Sequence, residues 1–444
     1  MMRIQLSDHF TYKKLILFVL PSIIMMIFTS IYGVVDGLFV SNFVGKTAFA
    51  AINLIMPFLM GLSALGFMIG TGGSAIVAKT LGEGKKERAN RYFSMLVCVT
   101  VVGGILISIA GFILIRPVSG LLGATGSLAD NCVLYGRILF LSLTPFMLQN
   151  VFQSFFVTAE KPKLGLYVTI AAGLTNIVLD FLFIAVFQWG LAGAAIATAA
   201  SEYIGGLLPV FYFLRKNKSL LRLGKTHFDK GILLKACTNG SSELMTNLSM
   251  SVVNALYNFQ LIRFAGEDGV AAYGTIMYVN FIFIAIFLGY SIGSAPITGY
   301  HYGAGHHGEL KNLFKKSLTL VTVWGVLLAL AAQLLASPLA NVFVGYDREL
   351  FAMTRHGFRL YGMSFLICGF NIFASSFFTA LSDGAVSAAI SFLRTLVFQI
   401  AVVLLLPVIL GIDGVWLAVT AAEGMTLLVT VTFFIRKSAR YHYA

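Results

Sequence analysis

The stretch Gly190–Lys216, GLAGAAIATAASEYIGGLLPVFYFLRK, is apolar along almost its whole length, closes on a basic pair and carries one acid, Glu202. The same plan returns 221 positions later as Gly411–Lys437, GIDGVWLAVTAAEGMTLLVTVTFFIRK. Gly190, Gly193, Glu202, Arg215 and Lys216 there meet Gly411, Gly414, Glu423, Arg436 and Lys437. Working outward, the register holds without a gap. Gly45 meets Gly266, Ala50 and Ala51 meet Ala271 and Ala272, Ile55 and Met56 meet Ile276 and Met277, and Gly72, Gly82 and Gly84 meet Gly293, Gly303 and Gly305. Gly136, Asn150, Ser154, Thr158 and Ala159 meet Gly357, Asn371, Ser375, Thr379 and Ala380. Chance likeness between apolar segments matches Ala and Leu, but it does not keep one register through Gly, Asn, Glu and Arg, so the chain reads as an internal duplication.

Of the 444 residues, 58% are hydrophobic and 11% charged, whereas soluble domains carry roughly 25% charged residues. Crossing ~30 Å of hydrocarbon at 1.5 Å per residue takes about 20 residues. Twelve stretches are long enough: 15–39, 48–71, 93–115, 133–157, 165–187, 191–214, 232–264, 270–298, 317–343, 351–380, 386–410 and 415–435. The expected fold is an all-α polytopic membrane protein with twelve transmembrane helices in two six-helix pseudo-symmetric repeats. Six helices per half make the repeats parallel, related by an axis along the membrane normal, with a cleft between bundles suited to alternating access. The expected division is an N-terminal lobe at 1–214, a linker at 215–230 and a C-terminal lobe at 231–444.

A net charge of +13 raises the question of nucleic acid. Distributing the 31 Lys and Arg over alternate sides of the twelve helices puts 24 on the side of both termini and 7 on the other. Arg3, Lys13 and Lys14 belong to the first group; Lys46, Arg116, Arg137, Arg263, Arg348, Arg355 and Arg359 are the second. That asymmetry is the positive-inside rule. It puts both termini on the cytoplasmic side and leaves nucleic acid no part; the expected location is the plasma membrane. The first apolar stretch is longer than a signal-peptide core and has no clear cleavage site, so it reads as a retained helix. Cys98, Cys132, Cys237 and Cys368 are widely spaced and suggest neither a disulfide framework nor a metal cluster.

An ionisable side chain at the centre of a membrane helix costs about 2.5–3.5 kcal/mol on insertion scales, which makes each one a functional candidate. Five acids qualify: Asp36, Asp180, Glu202, Glu243 and Glu423. Glu202 and Glu423 are repeat partners, which suggests a shared structural role such as hydrogen bonds between helices, with a proton role as the alternative. Asp36 and Asp180 map to Tyr257 and Ala401 and so belong to the first half alone. Asp180 lies about 22 Å along the fifth helix, in its outer half, with Asn176 four residues earlier on the same face. Thr198 lies about 10 Å below the outer surface on the sixth helix, and Asp36 is near the outer end of the first. Two carboxylates, an amide and a hydroxyl at one level form an oxygen-rich nest suited to a proton or a hard monovalent cation.

With these residues in place, the chain resembles the multidrug and toxic compound extrusion (MATE) transporters over essentially its whole length. The resemblance rests on twelve helices, two repeats and the segment Tyr32-Gly33-Val34-Val35-Asp36-Gly37-Leu38-Phe39-Val40. The DinF-like branch has an Asp on helix one, an Asn and an Asp four apart on helix five, and a Thr on helix six; Asp36, Asn176, Asp180 and Thr198 match that pattern. The resemblance implies cation coupling there, and marks Pro21 as the proline at which helix one bends, since proline removes a backbone donor. In the NorM-like branch the acids lie on helices seven and ten. Here Glu243 stands near the cytoplasmic end of helix seven and Asp383 falls after helix ten, so that arrangement is not matched.

The expected substrate cleft takes Gln149, Asn150 and Gln153 from helix four, Asn254, Tyr257 and Asn258 from helix seven, and Tyr278 and Asn280 from helix eight. An unpaired amide is costly in hydrocarbon and lines a cavity or bridges helices. Gly303-Ala304-Gly305-His306-His307-Gly308 fits a nucleotide-binding spacing but follows a membrane helix instead of a strand, so no nucleotide is expected. The resulting expectation is secondary active efflux: a monomeric H+ or Na+/drug antiporter, with no enzyme activity and no cofactor beyond the coupling ion, exporting lipophilic, often cationic compounds. Either ion suits an Asp pair with Asn and Thr. A flippase-type exporter of a lipid-linked metabolite is the second reading; it calls for a cationic cleft, and only Arg263 and Arg394 come near helix interiors. A membrane-embedded enzyme is the third, without a zinc-protease helix motif or a catalytic serine constellation to support it.

Overall fold

The computed structural model describes residues 4–444, apart from the side chains of Leu38, Ser41, Asn42 and Lys46. Arg3 and the Lys46 side chain, both assigned to a membrane side above, and the Leu38 side chain lie outside the described residues. Helices α1 (Tyr12–Phe43), α2 (Lys46–Gly82), α3 (Lys86–Leu121), α4 (Gly126–Thr158), α5 (Pro162–Val186) and α6 (Gly190–Leu214) form the first half. Residues 215–229 carry no helix. The second half opens with Lys230–Gly303, hydrogen-bonded as one helix of 74 residues but broken at Gly266, where φ is 62° and ψ −148°. A straight helix of that length would span over 100 Å, so the break defines two elements, α7 (230–265) and α8 (267–303). Then follow α9 (His307–Val344), α10 (Arg348–Gly362 with Phe365–Ala380), α11 (Gly384–Leu410) and α12 (Ile412–Tyr441). Among the described residues there are no strands.

The duplication is written into the backbone. Gly45 (φ 95°) and Gly266 (φ 62°), Gly84 (77°) and Gly305 (70°), and Gly190 (56°) and Gly411 (60°) are left-handed pairs at the 221-residue offset. Each pair sits at a corresponding helix boundary, in a turn that a Cβ would strain. The cores repeat as well. Phe93, Phe152, Phe156 and Phe213 cluster in the first half, and their partners Phe314, Phe373, Phe377 and Phe434 cluster in the second. Ring centroids are 5.1 Å apart for Phe93–Phe213 and 5.0 Å for Phe314–Phe434. The apolar stretch 351–380 becomes the bent helix α10. Its two pieces meet at 47°, because Met363 and Ser364 bond to carbonyls three residues back and tighten the turn.

The two halves meet along α2 with α7 and α8 and along α1 with α8, through glycines. A Cβ on Gly72 would lie 2.0 Å from the Ala236 carbonyl oxygen, and one on Gly240 would lie 1.9 Å from that of Met68. Gly82 against Tyr300 and Gly303 against Lys79 are as close, and Gly289 and Gly293 press on Ile23 and Val19. These contacts all lie toward the face that carries both chain ends. One face of α7 records the consequence: Ala236 and Gly240 are buried, whereas Ser251 and Asn258, on the same side farther along, are exposed. The cleft between the halves is therefore shut at the chain-end face and open at the opposite one. A strap of N-terminal residues reinforces the closure. Leu6 N donates to Glu160 at 2.8 Å in the first half, and Phe10 N donates to Glu309 at 2.9 Å in the second.

Candidate ion site and cleft

Asp36 on α1 stands against Asp180 and Asn176 on α5. Asn176 is 2% exposed and Asp180 0%. Both side-chain atoms of Asn176, both carboxylate oxygens of Asp180, Oδ1 of Asp36 and Oγ1 of Thr198 are buried without a hydrogen-bond partner. So many orphaned polar atoms in one place are costly unless something fills the space between them. α5 changes at this level: its last turn, Phe181–Val186, is π-helical and begins directly after Asp180. Such turns occur often at functional sites. Phe183 within that turn stacks on Trp189 beyond it at 4.7 Å.

Thr198 on α6 faces the hydroxyl of Tyr135 on α4, which has Asp36, Glu202 and Asp180 around it. Glu202 accepts a 2.5 Å hydrogen bond from Ser142. Tyr32, one turn before Asp36, faces Gln149 and lies in the field of Glu202. Sequence reasoning missed both tyrosines by treating them as aromatic bulk. The repeat could have found Tyr135, because its partner is His356 and the pair breaks the symmetry beside the matched Gly136 and Gly357. Among the described residues no group of three or more His, Cys, Asp or Glu is placed to hold a metal ion.

The expected cleft residues divide. Asn258 is exposed and Asn254 half-buried on the open side, where Asn254 accepts the Tyr273 hydroxyl at 3.2 Å. Tyr278 is 39% exposed and stacks on Phe343. The others are turned inward. Asn150 donates to the Ser63 carbonyl, Gln149 and Gln153 are buried within the first half, and Asn280 is buried with Oδ1 unpartnered. Tyr257 is 3% exposed, donates to Gln399 at 3.2 Å and stacks on Tyr273. At the position of Asp36 the second half thus has a closed aromatic contact. Pro21 sits inside α1, which runs as one helix from Tyr12 to Phe43.

The profile of the MatE family matches residues 21–182 and again 244–405, once in each half. The chain belongs to the MatE family. Among its relatives, the multidrug export protein MepA of Staphylococcus saprophyticus is 23% identical over 419 residues, covering 94% of this chain and 92% of the relative. MepA of Staphylococcus haemolyticus is 23% identical over 431 residues, covering 97% and 94%. A solved multidrug resistance MATE family transporter in an outward-facing conformation superposes with a TM-score of 0.92 at 22% identity, covering 98% of each chain.

Within this MatE fold the second half has its own buried charges. Glu423 on α12, 2% exposed, accepts from Arg394 Nε on α11 at 2.8 Å and from Asn371 Nδ2 on α10 at 2.7 Å. Thr430 donates to the same Asn371 at 2.7 Å. The repeat partners Glu202 and Glu423 both join helices, but among the described residues only the second has a cation bonded to it. Arg394 lies in the π-helical turn Leu393–Val397, so both π-helical turns among the described residues adjoin or carry an ionisable residue.

Proposed function

We propose that this MatE transporter exports lipophilic, often cationic compounds by antiport against H+ or Na+, coupled at Asp36, Asn176, Asp180 and Thr198. The observation that carries the proposal is the cluster of unpartnered buried polar atoms at those residues, whose two acids have Tyr257 and Ala401 at the equivalent positions of the second half, beside a cleft shut at the chain-end face. A carboxylate pair in a medium of low dielectric holds a cation or a proton far more readily than in water. Loading the nest draws α1 toward α5. Pro21 has no N–H for the carbonyl one turn earlier, so α1 can yield there and narrow the cleft on the first-half side. Tyr135 and Tyr32 carry that change toward Glu202 and Gln149.

In this reading the basic chain-end face is cytoplasmic, the protein acts as a monomer, and the open cleft faces outward. Asn254, Asn258 and Tyr278 line the exit, while Gln149, Asn150, Gln153, Tyr257 and Asn280 hold the walls in shape. Arg394 is spoken for by Glu423, and Arg263 lies over the Phe264 ring at 5.5 Å; neither makes the cleft cationic, which favours drug export over a lipid-linked precursor. The test is drug resistance in cells lacking their own exporters. Asp36→Asn should abolish it with membrane insertion intact, and full resistance in that variant would end the proposal.

A further inference from the structure

We infer that Glu243 is a binding subsite for the positively charged group of the exported compound, set at the closed end of the cleft; the inference rests on the efflux reading above. On α7, Ala236 and Gly240 press against α2, and Asn239 reaches α10 by donating to the Thr379 carbonyl at 2.8 Å. Glu243 falls between these two directions one turn farther out, so it faces the gap between the halves where the packed contact ends. Its side chain is half-buried and its carboxylate takes no hydrogen bond from a described residue. One turn below, Asn239 Oδ1 is also without a donor, in a residue 3% exposed.

The charge at this place is unbalanced. Arg394 lies within electrostatic reach of Glu243, but its Nε is held by Glu423 at 2.8 Å. With Arg394 bonded to Glu423, Glu243 has no ion-pair partner of its own among the described residues. An uncompensated charge inside a membrane protein is expensive and calls for a partner. The first half has nothing comparable, since Ser22 and Gly173 occupy the positions equivalent to Glu243 and Arg394. From this floor a polar line climbs α7 through Asn247, Ser251 and Asn254 to the open end, at spacings that keep one helix face. Two acceptors lacking donors, a carboxylate without an ion-pair partner and a polar track leading out fit an organic cation entering head first.

Ethidium, a fluorescent lipophilic monocation, serves as the probe with the full-length protein in nanodiscs. Wild type should bind it, Glu243→Gln should bind about tenfold more weakly or worse, as for loss of a charged contact, and Glu243→Asp should stay close to wild type. Independently of any variant, ethidium should protect Glu243 from a water-soluble carbodiimide, read by mass spectrometry. Equal binding by Glu243→Gln, or equal labelling with and without ethidium, overturns the subsite while leaving efflux standing. A wild type that neither binds nor transports ethidium overturns both.

Discussion

Replacing Gly240 by Ala places a Cβ 1.9 Å from the Met68 carbonyl oxygen. Contacts under about 3 Å essentially never occur, so α2 and α7 would have to separate by about 1 Å where neither backbone can give way. Overpacking of this kind costs about 1–3 kcal/mol. The contact exists only when the chain-end face is shut, so the cost falls on that state alone and moves the equilibrium about 5- to 150-fold toward the opposite one. Cys237, half-buried three residues away on the same helix, reports the change once Cys98, Cys132 and Cys368 are replaced. A membrane-permeable maleimide should label Cys237 several-fold faster in Gly240→Ala than in Gly240 protein. An unchanged rate, with the variant folded and inserted, would refute the view that glycine contacts hold the face shut.

Three further outcomes are expected. Deleting residues 1–9 removes the bond from Leu6 to Glu160 and that between His9 and Glu309, so amide exchange should quicken around Lys79–Gly82 and Tyr300–Ala304; unchanged exchange would mean the strap does not hold the halves. Glu423→Gln breaks the charged contact to Arg394 and should destabilise by about 1–3 kcal/mol, with Glu243 still within reach of the guanidinium, and a thermal melt should show Glu423→Leu with Arg394→Met losing less. At Asp383, in the turn after α10, burial raises the carboxyl pKa, but hydrogen bonds from Tyr441 and Lys437 outweigh it and the net shift is below the ordinary 3.8. A depressed pKa means stability present above the ordinary value and lost as pH falls through the lowered one. Tyr441 should therefore loosen only in strong acid, and Asp383→Asn should loosen it at neutral pH, by hydrogen exchange.

The 221-residue register made the fold legible because backbone demands repeat with it: Gly45 and Gly266, or Gly190 and Gly411, are glycines for the same left-handed turn. The failures of that register at Asp36 and Asp180 led to the nest for the complementary reason, since an acid without a symmetric partner is not needed by the shared fold. The cleft was harder to read. In a membrane helix both the lipid side and the core side are apolar, so periodicity does not tell which face Gln149, Asn150 or Tyr257 presents to the gap. Those three pack within their own halves. Tyr135 was invisible for a related reason, as a tyrosine in an apolar helix looks like packing until its hydroxyl is seen facing Thr198. Which face is open could not be read at all, because both states use the same residues.

The most direct test uses purified protein in proteoliposomes loaded with ethidium, with a pH gradient and a sodium gradient imposed separately. Wild type should move ethidium under one of the two gradients and stop when it is collapsed, and Asp36→Asn and Asp180→Asn should stay inserted but move none. Transport by either variant at the wild-type rate, or ethidium movement by wild type indifferent to both gradients, would contradict coupling at this site.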